Sequence, residues 1–181
     1  MEREDWSPDS EALLASYARG PAALDEALTA AEGEVLDVAS PDDGWTIRQI
    51  VHHITDGDDL WKTCIQAALG AHCEEDRSSG RAVFGLQWYW DLPQDEWAER
   101  WAYAQRGLEP ALALFAANRR RTVQLLRQVP GSLAHCIVVR WPSGQEQEVT
   151  VGWVIEMQTR HAEDHIEDIL SILQARGTGT I

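Results

Sequence analysis

The stretch Gln158-Thr159-Arg160-His161-Ala162-Glu163-Asp164-His165-Ile166-Glu167-Asp168-Ile169 decides how the rest of the chain is read. It reads as a helix, with Val154, Met157, Gln158, His161, His165, Asp168, Ile169 and Ile172 near one face. Two histidines four apart in a helix stack on that face, Cβ atoms roughly 5–6 Å apart, close enough to share one ion. Two ligands do not complete a site, so a third must come from another helix. Trp45-Thr46-Ile47-Arg48-Gln49-Ile50-Val51-His52-His53-Ile54-Thr55-Asp56 offers one. Successive helical residues diverge by about 100°, so only one of His52 and His53 faces a bundle interior. His53 keeps company with Ile50, Gly57, Leu60 and Cys64, whereas His52 lies toward Arg48 and Thr55, and His53 is the candidate. Asp56, one turn on, is placed either to accept a hydrogen bond from a ligand histidine or to be a solvated helix charge.

Outward from these two segments the chain reads as a bundle. Ser7-Pro8-Asp9 is a helix start, and apolar positions recur from Leu13 to Leu28. Gly20-Pro21 predicts a kink or restart within that first helix, because proline removes a backbone donor and crowds the preceding turn. Glu32-Gly33 closes it, and Ser40-Pro41-Asp42-Asp43 belongs to a connector. Helix two begins near Thr46 and ends at Gly70, its inner face carrying Ile50, His53, Gly57, Leu60, Cys64 and Ala68 with Trp61 and Ile65 flanking. Residues 71–92 lose periodicity and read as a long loop, polar at first and then dense in aromatics from Phe84 to Trp90. Those aromatics either wall a pocket or pack over the end of the bundle. A short helix runs from Pro93 to about Gln105, and a third long one from about Gly107 to Gln128, stopped by Pro130-Gly131. Trp141-Pro142-Ser143-Gly144 between β-favouring runs predicts a small hairpin, with Thr150 capping a last long helix that ends at Gly177.

At 181 residues the chain suits one domain spanning residues 1–181. Hydrophobic residues at 44% and charged residues at 25% exclude the disordered class. A formal charge of −15 repels phosphate backbones and anionic lipid, so nucleic acid and membrane surfaces are not expected partners. The cluster Arg119-Arg120-Arg121 sits in an amphipathic helix and reads as a solvated face. The acidic start Met1-Glu2-Arg3-Glu4-Asp5-Trp6 is no secretory signal, and no apolar run approaches the roughly 18 residues of a membrane helix, so a cytoplasmic location is expected. Cys64, Cys73 and Cys136 are odd in number and widely spaced, as reduced thiols are.

Three neutral imidazoles on a divalent ion leave positions for water or substrate, the arrangement of a catalytic centre. On spacing alone, HxxxH is more often the product of ordinary core or surface histidines than of a metal site. His72 and His135, in a loop and the hairpin, add nothing to it. Gly44 to Asp56 followed by His161-Ala162-Glu163-Asp164-His165-Ile166 resembles the DinB superfamily, and within it the YfiT-like branch. The resemblance covers nearly the whole chain. It implies an all-α four-helix bundle in up-down-down-up order, with His53, His161 and His165 as ligands of Zn²⁺ or Ni²⁺. It departs from the YfiT-like pattern at Asp164, Glu167 and Asp168, where further histidines are usual. The implied activity is that of a metal-dependent enzyme, first a transferase joining a low-molecular-weight thiol to a small electrophile. The alternatives are a metal-dependent hydrolase and a non-catalytic metal-binding stress-response protein. A small-molecule substrate is the expected partner, with a homodimer left open. The aromatic stretch Phe84 to Trp90 is the expected wall for an apolar substrate.

Overall fold

The computed structural model describes residues 8–29, 31, 33–40, 44–71, 83–86 and 92–177. In chain order the helices and strands are α1 Pro8–Leu28, α2 Ile47–Gly70, β1 Val83–Gly85, α3 Gln94–Arg100, α4 Leu108–Gln128, β2 Cys136–Arg140, β3 Glu146–Thr150 and α5 Val151–Gly177. Local chemistry sets most of these limits. The Thr46 hydroxyl accepts from the Gln49 N–H at 3.2 Å while Gln49 Oε1 accepts from the Thr46 N–H at 2.9 Å, a capping box that starts α2. The Thr150 hydroxyl accepts from the Trp153 N–H at 3.0 Å and starts α5. Between β2 and β3, Gly144 donates to the Trp141 carbonyl at 2.9 Å with Pro142 and Ser143 at the turn. Gly144 adopts φ 81, the left-handed residue that a three-residue hairpin loop requires.

The four long helices form a bundle, and two core clusters fix their directions. One joins Leu14 and Tyr17 from the start of α1, Trp61, Cys64 and Ile65 from the second half of α2, Val123 and Leu126 from the end of α4, and Val151 to Ile155 from the start of α5. The other joins Leu24 and Ala27, Ile47 to Ile54, Ala111 and Phe115, and Ala162 to Ile172. Hence α1 and α5 run one way and α2 and α4 the other, the up-down-down-up order. Only the segment between α2 and α4 must travel the length of the bundle. α2 packs chiefly on α4 and α5, and α1 on the same pair, so α1 and α2 sit on one diagonal. The strands cover the first cluster, in the order β1-β2-β3, with β1 parallel to β2 and β2 antiparallel to β3. Among the described residues, no helix is long and apolar enough to cross a membrane.

Several expectations need correction. The long-loop reading of residues 71–92 missed β1, whose partner in β2 is distant in sequence. The short helix stops at Arg100, and Tyr103–Gln105 is a separate 3-10 turn after Ala102, which sits at φ 54. α2 is buried beyond one face, since Val51, His52, Ile54, Thr55 and Asp58 are also enclosed, because that turn packs on α2 alongside α4 and α5.

The largest correction concerns Arg119 and Gly20-Pro21. Arg119 is no solvated charge but is 1% exposed. Its guanidinium donates to Asp58 Oδ1 at 3.0 Å, to the Tyr17 carbonyl at 2.9 Å and to the Gln158 carbonyl at 2.8 Å, between the rings of Tyr17 and Phe115. Pro21 stands inside α1 without breaking it. Having no N–H, it leaves the Tyr17 carbonyl four residues back without its helical donor, and Arg119 supplies one. Gly20 completes the socket: a Cβ there would lie 2.3 Å from Arg119 Nη1.

Candidate metal centre

His53 on α2 and His161 and His165 on α5 converge, with one ring nitrogen from each within 4.8 Å of the others. The helix phase read from sequence holds: His53 faces inward and His52 does not join the group. His53 and His161 oppose each other with Nε2 atoms 3.1 Å apart, one ring donating to the other. Ring centroids are 5.0 Å apart for His53 with each partner and 4.7 Å for His161 with His165. Gly57 faces the pair, and a Cβ there would lie in ordinary van der Waals contact with His161 Cε1, at 3.6 Å. Trp45 stands edge-on to His53 at 5.2 Å.

Electrostatics favour the neutral, ligating form of the two inner rings. Burial, with the neighbouring His165, brings His53 down to about 4. Burial and the nearby His53, His165 and Arg119 bring His161 down to about 3. His165 is a quarter exposed, and its Nδ1 bonds Asp168 Oδ2 at 2.9 Å, which fixes the ring and leaves Nε2 to face the cluster. A carboxylate partner three residues along the same helix was findable from spacing alone, whereas the sequence offered Asp56 either for this role or as a solvated helix charge. Asp56 instead accepts from the Tyr103 hydroxyl at 2.7 Å and pairs with Arg106. His161 Nδ1 is buried without a partner.

The donor set fits one divalent ion. Two nitrogens at 2.0–2.1 Å from a tetrahedral Zn²⁺ stand about 3.3 Å apart, close to the 3.1 Å between His53 and His161. Three imidazoles are borderline donors suited to zinc or nickel and leave coordination positions open.

The other singled-out residues lie elsewhere. His52 stacks on Tyr103 and donates to the Arg106 carbonyl at 3.4 Å. Cys64 is fully buried in the cluster beneath the strands, its thiol pushed up to about 12 by desolvation. Phe84 and Leu86 pack on that same cluster rather than on the one holding Ala162 and Ile166. Residues 87–90 of the expected aromatic wall lie outside the described residues, as does Cys73. A cavity of about 360 Å³ is lined by Gln49, Ala98, Glu99, Gln105 and neighbours and includes none of the three histidines.

Residues 16–169 match the DinB superfamily. The chain belongs to that superfamily. It is 24% identical over 179 residues to a proposed metal-dependent hydrolase of Geobacillus thermodenitrificans (strain NG80-2), covering 93% of this chain and 86% of that one. Its fold is similar to that of YfiT from Bacillus subtilis, described as a probable metal-dependent hydrolase with an unusual four-helix bundle topology. That similarity has TM-score 0.76 and 21% identity, covering 98% of this chain and 93% of YfiT. This DinB chain therefore has the YfiT-like bundle, with three histidines gathered across α2 and α5.

Proposed function

We propose that this DinB protein is a metal-dependent hydrolase whose ion, zinc or nickel, is held by His53, His161 and His165. The observation that carries the reading is the convergence of three imidazoles, the inner two desolvated and held neutral. The description attached to both relatives supports it. When bound, such an ion is a Lewis acid that lowers the pKa of a coordinated water toward ~7. The chain's own residues orient and shield. Asp168 holds the His165 ring and Trp45 covers one side of His53, so substrate approaches from the open side at His165.

Thiol transfer is the second reading and would use the same three residues. Cys64, enclosed in the core, is no nucleophile for it, which accords with a soluble thiol as co-substrate. The test is to load the purified protein with zinc or nickel and assay esters and amides without thiol, then electrophiles with a panel of thiols, repeating both with His161→Ala. Turnover without thiol that is lost in the variant is expected. Turnover only with thiol would replace the hydrolase by the transferase, and an ion bound without turnover would make this a binding module.

A further inference from the structure

Arg119 touches all four long helices. It belongs to α4, fills the socket that Gly20 and Pro21 cut into α1, and bonds Asp58 of α2 and the Gln158 carbonyl of α5. The last two helices carry the histidines. Asp58 lies five residues past His53, about 7.5 Å along α2, and Gln158 three residues before His161, about 4.5 Å along α5. A buried ion pair is a poor device for stability, because removing both charges from water costs about what their attraction returns. A planar guanidinium with three directional bonds to three helices is, however, a good device for fixing register.

We infer that Arg119, seated in the Gly20-Pro21 socket, is a positioning residue that sets α5 against α2 and thereby the spacing of His53 and His161. This rests on those histidines holding an ion. Metal–ligand distances tolerate only about 0.2 Å, so a slide of one helix on the other that the core would absorb would still mis-space the two nitrogens. The socket explains why a glycine and a proline stand together inside a helix that does not end there.

The experiment compares the full chain with Gly20→Ala, Arg119→Lys and Arg119→Met, using as control Arg127→Met, on the same helix as Arg119 but paired at the surface with Glu11 of α1. Gly20→Ala introduces the better helix former and displaces the guanidinium while leaving every charge in place. Co²⁺ affinity is measured by chelator competition, site geometry by the Co²⁺ d–d absorption, and the metal-free fold by circular dichroism and urea denaturation. Gly20→Ala and Arg119→Met are expected to stay folded yet bind Co²⁺ about tenfold more weakly or worse with an altered spectrum, Arg119→Lys to recover part of the loss, and Arg127→Met to match the native protein. Folded variants with native affinity and spectrum would overturn the positioning role and leave the histidine site standing. A loss of affinity that merely follows lost stability, with the spectrum unchanged, would overturn it as well. Failure of the unaltered protein to bind Co²⁺ would overturn the histidine site itself and this inference with it. Should Arg119→Met not fold, Gly20→Ala decides the matter.

Discussion

His52 and His53 are both buried, at 1% and 5% exposure, but they meet different chemistry. His53 points at two imidazoles, whereas His52 lies flat on Tyr103 beside the Arg106 carbonyl. His53→Ala should therefore abolish metal binding with the fold retained. His52→Ala should keep the ion but lower stability by about 2 kcal/mol or more, as loss of a large buried side chain does. Metal analysis and urea denaturation of both variants check this, and equal loss of metal in the two would contradict the assignment. The inner rings also give the metal-free protein a pH dependence. Their folded values of about 4 and about 3 lie below the ordinary 6.5, so between pH 6.5 and 4 the unfolded chain takes up protons that the folded chain refuses. Stability is then full above pH 6.5 and falls as pH drops toward 4, by on the order of a few kcal/mol. Asp37 and Asp59, held below the usual carboxylate range, by the Arg48 hydrogen bond in one case and by Lys62 and Asn118 in the other, lose their contribution only at lower pH. Urea denaturation at pH 7.5 and 5.0 should show the drop, and His161→Gln should reduce it; a flat profile would contradict the burial of neutral rings.

At the scale of an element, α2 is the helix whose beginning matters most, since Thr46 caps it seven residues before His53. Thr46→Ala removes the acceptor for the Gln49 N–H and should cost about 1 kcal/mol, while Thr46→Ser should restore most of it. Urea midpoints of the two variants measure the difference, and equal midpoints would mean the box contributes nothing. Elements of this kind were legible because their signals are local. Thr46 and Gln49, Thr150 and Trp153, and Pro142 to Gly144 each act within a few residues of themselves. β1 was not legible in the same way, because three residues carry no periodicity and their partners in β2 lie beyond two helices of the chain.

For the whole molecule, the up-down-down-up order places the first half of α2 beside the middle of α5, so histidines 108 residues apart meet. By itself the sequence determined the four long helices, the hairpin, the inward phase of His53 and the shared face of His161 and His165, because helical period and capping chemistry are written in neighbouring residues. Only the tertiary structure decided that Arg119 is buried, that Gly20-Pro21 is its socket, that Asp58 and not solvent answers its charge, and that Asp56 turns to Tyr103. Those outcomes depend on partners 61, 102, 39 and 47 residues away. An arginine reads as solvated until other helices surround it, since whether a charge can be desolvated depends on the groups that replace its water, and no local pattern specifies them.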